Sequence, residues 1–151
     1  MASRREQIQM TDEELRAFLD DQKIVTVATM GPNGRPHLMP LWYVVDGDEL
    51  RAWTYAKSQK AKNLERDPHA TLQIEAGVDY SELRGVMFET DVEVERDAAK
   101  VAEYGRALFG RYAPGVDVGE MIEKQAPKRI GLRFVPTRTV TWDHRKLGGT
   151  Y

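Results

Sequence analysis

Residues 86 to 95, VMFETDVEVE, constrain the fold more than any other stretch of this chain. Val86, Phe88, Val92 and Val94 fall on one face, and Glu89, Asp91, Glu93 and Glu95 on the other. A period of two with one acidic face is a strand whose other side covers a core, the pattern of an antiparallel sheet wetted on one side. Other segments extend the sheet. KIVTVAT is β-rich, GPNGR is turn chemistry in which Asn33-Gly34 readily takes positive φ, and PHLMPLWYVV then folds back as a hairpin. In that second strand Leu38, Trp42 and Val44 lie on one face, and Met39, Leu41, Tyr43 and Val45 on the other. Apolar residues on both faces predict a core on one side and a partner chain or ligand on the other. LRAWTY, ATLQIEA with Leu72 and Ile74 inward, a segment with Ile130, Leu132 and Phe134 inward, and a last strand after Pro136 with Val140 and Trp142 complete the set.

Helical periods interrupt these strands. Thr11 and Glu14 form a capping-box pattern ahead of Leu15, Phe18 and Leu19, which predicts a short helix to about Asp21. Val101, Tyr104, Leu108 and Tyr112 make a helical stripe after Asp97, ended by Gly110 and Pro114-Gly115, and VGEMIEKQA is a weaker helical stretch before Pro127. About six or seven strands joined mostly by short turns predict a mainly β, compact antiparallel barrel with flanking helices rather than alternating βαβ units. At 151 residues the chain has length for one core, so a single domain over 1–151 is expected, with 1–10 as a flexible tail.

Composition excludes several functions. A formal net charge of -2 argues against a general nucleic-acid binder, and the absence of cysteine removes disulfides, thiolate metal sites and cysteine nucleophiles. No segment approaches the roughly 20 apolar residues of a membrane span, and no secretory signal is visible, so the expectation is a cytoplasmic protein. The glycines form neither a phosphate loop nor a dinucleotide fingerprint, and there is no GxSxG elbow, so kinase and serine-hydrolase readings fall away. His37, His69 and His144 lack metal-ligand spacing and are expected to be structural or exposed.

Against that slightly acidic background, YAKSQKAKNLERDP at 55–68 concentrates Lys57, Lys60, Lys62 and Arg66. Ser58 is a suitable N-cap for a helix running to about Arg66, where Asp67-Pro68 stops it. Lys62 and Arg66 suit the C-terminal end of its dipole, but Lys57 and Lys60 oppose the N-terminal end by roughly 0.3–1 kcal/mol. An anion there would reverse that sign, since free N–H groups, the Ser58 hydroxyl, Thr54 and two ammonium groups can converge on a phosphate. The competing reading is a solvated lysine-rich helix with no ligand.

The run from Val25 to Leu72 resembles the split-barrel flavin and deazaflavin oxidoreductases related to pyridoxamine 5'-phosphate oxidase, the FMN-binding split barrels, and in particular a small actinobacterial branch associated with coenzyme F420. The resemblance rests on NGRPH, the Pro-Leu-Trp-Tyr strand, the pattern formed by Thr54, Lys60, Asn63 and Leu64, and the Arg-Asp-Pro stop, and extends from about Thr11 to Asp143. It implies a homodimer with the tricyclic ring in a groove at the subunit interface. Thr54, Lys57, Ser58, Lys60, Lys62 and Asn63 would then bind the cofactor phosphate and its neighbours. Met39, Pro40, Leu41, Trp42 and Tyr43 would line the ring, helped by Val25, Thr26, Val27 and Ala28. Thr90-Asp91 departs from the resemblance, standing where many relatives carry a glycine-centred motif.

The function so implied is hydride transfer from reduced F420 to an electron-poor small molecule, with no dedicated acid-base constellation required and a proton from solvent, Tyr43 or His37. Lys57, Lys128, Arg129 and Arg145 are candidates for the polyglutamate tail of F420. The alternatives are an FMN-dependent oxidase or reductase on the same fold, or a non-catalytic carrier of a flavin or haem. Trp142, Asp143, His144 and Arg145 are read as barrel closure in preference to a reach into a partner's pocket.

Overall fold

The computed structural model describes residues 1–149. Seven strands, β1 (Val25–Met30), β2 (Pro36–Leu41), β3 (Val44–Asp46), β4 (Glu49–Tyr55), β5 (His69–Ala76), β6 (Arg84–Glu95) and β7 (Arg129–Asp143), form one antiparallel sheet ordered β2-β1-β5-β6-β7-β4-β3. Five α-helices flank it: α1 (Arg4–Gln7), α2 (Asp12–Asp21), α3 (Gln59–Arg66), α4 (Ala98–Tyr112) and α5 (Gly119–Gln125). This is the expected mainly β split barrel with flanking helices.

Why the sheet curls follows from one short connection. β2 and β3 are its two opposite edges, yet only Trp42 and Tyr43 separate them in sequence. Three residue steps span at most about 11 Å, so the two edges must approach one another and the sheet must bend towards closure. The strand expected to run unbroken from Pro36 to Val45 is therefore two strands with different neighbours, β2 on β1 and β3 on β4. The break is fixed by side chains. The Tyr43 N–H donates to the Tyr112 hydroxyl on α4, and the Tyr43 hydroxyl donates to the Leu19 carbonyl at 2.6 Å.

The hairpin turns at Gly34, whose φ of 76° suits glycine. Alternation in β6 holds in its main part: Val86, Phe88 and Val92 are buried, Val94 is half-buried, and Asp91 and Glu93 are exposed, while Glu89 and Glu95, read as outward, are half-buried. Two boundaries differ from expectation. Pro136 does not separate two strands, because β7 continues through it; a register shift between Glu89 and Thr90 lets Pro136, which has no N–H to donate, pair opposite Thr90. Gly110 does not end α4, which runs to Tyr112 and stops before Pro114-Gly115.

The main core gathers Phe18 and Leu19 of α2 with Val25, Val27, Leu72, Ile74, Val86, Phe88, Ile130, Leu132 and Phe134 from the sheet. A second cluster of Trp53, Val101, Leu108, Ile122 and Ala126 seats α4 and α5 against β4. Near the N-terminus, Thr11 caps α2 reciprocally with Glu14, as expected. The preceding residues carry the capped helix α1 and bond to the end of β7: Asp143 N–H donates to the Ile8 carbonyl at 2.7 Å, and Met10 N–H to Thr141 Oγ1 at 2.9 Å. The C-terminal end of β7 pairs with the start of β6, Trp142 opposite Gly85 and Asp143 opposite Arg84. A Cβ on Gly85 would lie 2.5 Å from the Trp142 ring, so this ring packs directly on backbone.

Candidate functional site

The helix read from YAKSQKAKNLERDP is α3, and it forms for the predicted reason: Ser58 Oγ accepts from Ala61 N–H at 3.1 Å. A turn in which Ser58 N–H donates to the Tyr55 carbonyl leads the chain from β4 into the helix. Buried Thr54, at the end of β4, places its Oγ1 3.5 Å from Ser58 Oγ. The first two helical residues, Gln59 and Lys60, have N–H groups with no acceptor among the described residues, and the first turn carries no acidic side chain.

Lys60 bears most directly on the two readings of this segment. A solvated lysine would be exposed, but Lys60 is only 6% exposed, and among the described residues it has neither a hydrogen-bond acceptor nor a carboxylate. Burial lowers its ammonium below the ordinary 10.5. A buried cation beside unbonded helix N–H groups leaves positive charge and donors uncompensated within the described residues. Lys57, in the turn before the helix, and Lys62, on the helix, are exposed.

Other residues of the expected set do different work. Asn63 is fully buried: its Nδ2 donates to Thr29 Oγ1 at 3.0 Å, and its Oδ1 accepts from Gln59 Nε2 at 2.8 Å. It ties α3 to β1 and has no surface to offer a ligand. Val25 and Val27 point into the core, so only their backbone faces outward, whereas Thr26 and Ala28 are half-buried on the other face of β1. Tyr43 is 0% exposed beneath α2, with its side chain turned into the core, and burial pushes its phenol up to about 12. His37 is half-buried on β2 opposite Thr29.

Three residues of the predicted ring-lining set do come together. Pro40, Leu41 and Trp42 line a cavity of about 400 Å³ with Trp53, Tyr55, Phe109, Met121, Gln125 and Arg129. Trp42 is held from behind by Tyr112, stacked with centroids 4.4 Å apart and planes 13° apart. The guanidinium of Arg129 sits 4.0 Å from the Tyr55 ring centroid and 4.6 Å from that of Trp53. Ala56 N–H bonds to the Lys128 carbonyl, so the cavity and the start of α3 share the β4–β7 pairing. Outside the cavity, β2 exposes Leu38 and Met39 by 60% and 46%.

Sequence reasoning missed Trp53, Tyr55, Phe109, Met121 and Gln125, because α4 and α5 reach β4 only through long-range packing and Phe109 lies beside, not on, the helical stripe. Arg145 lies at the far end of β7, where its guanidinium pairs with Asp143 at 2.8 Å, remote from Thr54 opposite Ile130. Among the described residues no cluster of histidine or acidic side chains could hold a metal ion. His69 instead pairs with Asp67 at 2.6 Å, which raises its imidazole. No described helix is long and apolar enough to cross a membrane.

Residues 11–143 match the family model described as pyridoxamine 5'-phosphate oxidase. No curated protein matches the chain. Among solved structures, a conserved hypothetical protein from Mycobacterium tuberculosis is 39% identical, with a TM-score of 0.89 over 99% of this chain and 95% of that one. An F420 reductase shares 22% identity at a TM-score of 0.65, over 82% of this chain and 94% of its own. An FAD and haem binding protein from Mycobacterium smegmatis shares 18% identity at a TM-score of 0.76, over 97% and 81%. At these identities the last two attest the fold.

Proposed function

The chain belongs to the pyridoxamine 5'-phosphate oxidase family, and from that premise we propose that it is an oxidoreductase using reduced coenzyme F420 to reduce an electron-poor small molecule. The observation that carries this reading is Lys60, buried and without a counter-ion at the start of α3. The residues present fit a phosphorylated cofactor. Lys60 supplies the charge, the N–H groups of Gln59 and Lys60 supply donors, and Thr54 and Ser58 supply hydroxyls. Lys57 and Lys62 add exposed positive charge suited to an anionic tail, and this favours F420 over FMN. A fold shared with an F420 reductase and with an FAD and haem binding protein accommodates either kind of ligand.

When bound, the reduced deazaflavin supplies a hydride to the acceptor. This chain's own contribution is to fix the phosphate at α3, to offer Thr26, Ala28 and Met39 as a bed for the ring, bordered by Pro40, Leu41 and Trp42, and to exclude water from the reacting face. Leu38 and Met39 lie exposed on the edge strand β2, and covering them in a homodimer would complete the bed from a second copy. Tyr43 plays no proton-donating part, its hydroxyl being engaged beneath α2.

The test is a fluorescence titration of the purified chain with F420 and with FMN, followed by steady-state turnover of reduced cofactor against quinone, enone and nitro acceptors. Saturable F420 binding and acceptor-dependent oxidation are expected. Stoichiometric FMN with negligible F420 affinity would overturn the cofactor, and tight binding without turnover on any acceptor would make the protein a carrier.

A further inference from the structure

Arg129 is the one charged residue among the nine that line the aromatic cavity. Its Nε donates to Gln125 Oε1 at 3.3 Å and its plane lies over Tyr55 and Trp53, yet no carboxylate pairs with it and its terminal nitrogens have no acceptor among the described residues. Several other arginines beside cavities are committed. Arg111 donates to the carbonyls of Leu19, Asp20, Gln22 and Tyr43, Arg51 pairs with Asp46, and Arg145 pairs with Asp143. A guanidinium fixed by two aromatic faces, with its fork of donors free, is preorganised for a planar carboxylate.

The rest of the cavity sets the body of the ligand. Trp42, Trp53, Tyr55 and Phe109 supply flat apolar walls, Pro40 and Leu41 a floor shared with β2, and Met121 an adaptable side. A volume of about 400 Å³ falls at the lower end of the roughly 300–1,000 Å³ usual for small-molecule sites. It suits a ring with a short conjugated arm.

We propose that this cavity is the acceptor site and that the acceptor is a planar conjugated carboxylate, its anionic group held by the Arg129 fork and its ring among Trp42, Trp53, Tyr55 and Phe109. The assignment rests on the reading of α3 as the cofactor's phosphate site, since it makes the cavity a second site beside the first. Positive charge is thereby divided between two anions: Lys60 serves the cofactor and Arg129 the acceptor.

The experiment is a calorimetric titration of the full chain with trans-cinnamate and with neutral trans-cinnamamide, each with and without saturating F420. Cinnamate is expected to bind at least about tenfold tighter than the amide, and to bind equally well with F420 present. Arg129→Met should remove that preference, and Met121→Trp, which fills the cavity without touching charge, should abolish binding of both probes. Equal affinity for acid and amide, a preference that survives Arg129→Met, or displacement of cinnamate by F420 would each overturn the assignment. The F420 titration on the same samples separates the two readings. Intact cofactor binding with no cinnamate preference sinks the acceptor site alone, whereas no cofactor binding at all sinks the reading of α3.

Discussion

The amide of Asn63 donates a 3.0 Å hydrogen bond to Thr29 Oγ1, and both side chains are buried. This bond fixes the tilt of α3 over the end of β1, and so the direction in which Lys60 and the helix N–H groups point. Asn63→Ala leaves the buried Thr29 hydroxyl without its donor and should lower unfolding free energy by about 1–3 kcal/mol. Urea denaturation followed by circular dichroism measures it, and an unchanged midpoint would show that α3 is held without this bond.

Lys60→Ala removes a buried charge without breaking any side-chain hydrogen bond or ion pair among the described residues. Cofactor affinity should fall by about 1.5–3 kcal/mol, roughly 10- to 150-fold, with the denaturation midpoint unmoved. Equal affinity in the two proteins would leave the lysines with no part in binding.

Proton linkage gives an independent check on the same residue. Burial holds the Lys60 ammonium below 10.5 in the free protein, and an anion placed beside it raises it again. Between those two values the complex binds more protons than the free chain, so cofactor binding at alkaline pH should take up a proton. Binding enthalpies in two buffers of different ionisation enthalpy report the uptake. A heat independent of buffer across that range would put the phosphate away from Lys60.

The phenol of Tyr43 provides a stability prediction of opposite sign. Its ionisation is raised from 10.0 to about 12 by burial, so between those values the folded chain holds a proton that the unfolded chain loses. Its contribution is complete below pH 10 and disappears as pH rises through about 12. Tyr43→Phe should cost about 0.5–1.5 kcal/mol at neutral pH, for the lost bond to Leu19, and should flatten the alkaline decline. Tyr104 and Tyr112, also raised by burial, leave a residual slope in the variant.

Gly105 on α4 lies against the Trp53 ring, and a Cβ there would meet it at 2.5 Å. Gly105→Ala should therefore displace Trp53 from the cavity wall, costing about 1–3 kcal/mol and shifting the tryptophan emission. Wild-type stability and emission would mean that the ring yields freely.

Much of the architecture was legible because alternation and capping are local. The Val86–Val94 pattern, the Ser58 cap and the Thr11–Glu14 box each act within a few residues and each appear as read. What was not legible depends on partners far away in sequence. The break at Trp42-Tyr43 is dictated by Tyr112 and Leu19, and the continuation of β7 through Pro136 by a bulge at Glu89/Thr90. At the site, residue type identified the cations, but not which of them is buried. Asn63 belonged to the expected pattern, yet its amide is consumed inside the fold, and Arg129 gains its setting from rings on β4.

Arg111 binds α2, α4 and the crossing between the two edge strands through four backbone carbonyls, while its neighbour Tyr112 backs Trp42. Any thermal excursion that lifts α2 off the barrel must strip that fan of donors and loosen the ring behind the ligand chamber in the same event. Amide hydrogens at the end of α2 and around Trp42 should consequently exchange at a common rate, so that lid and chamber behave as one cooperative door.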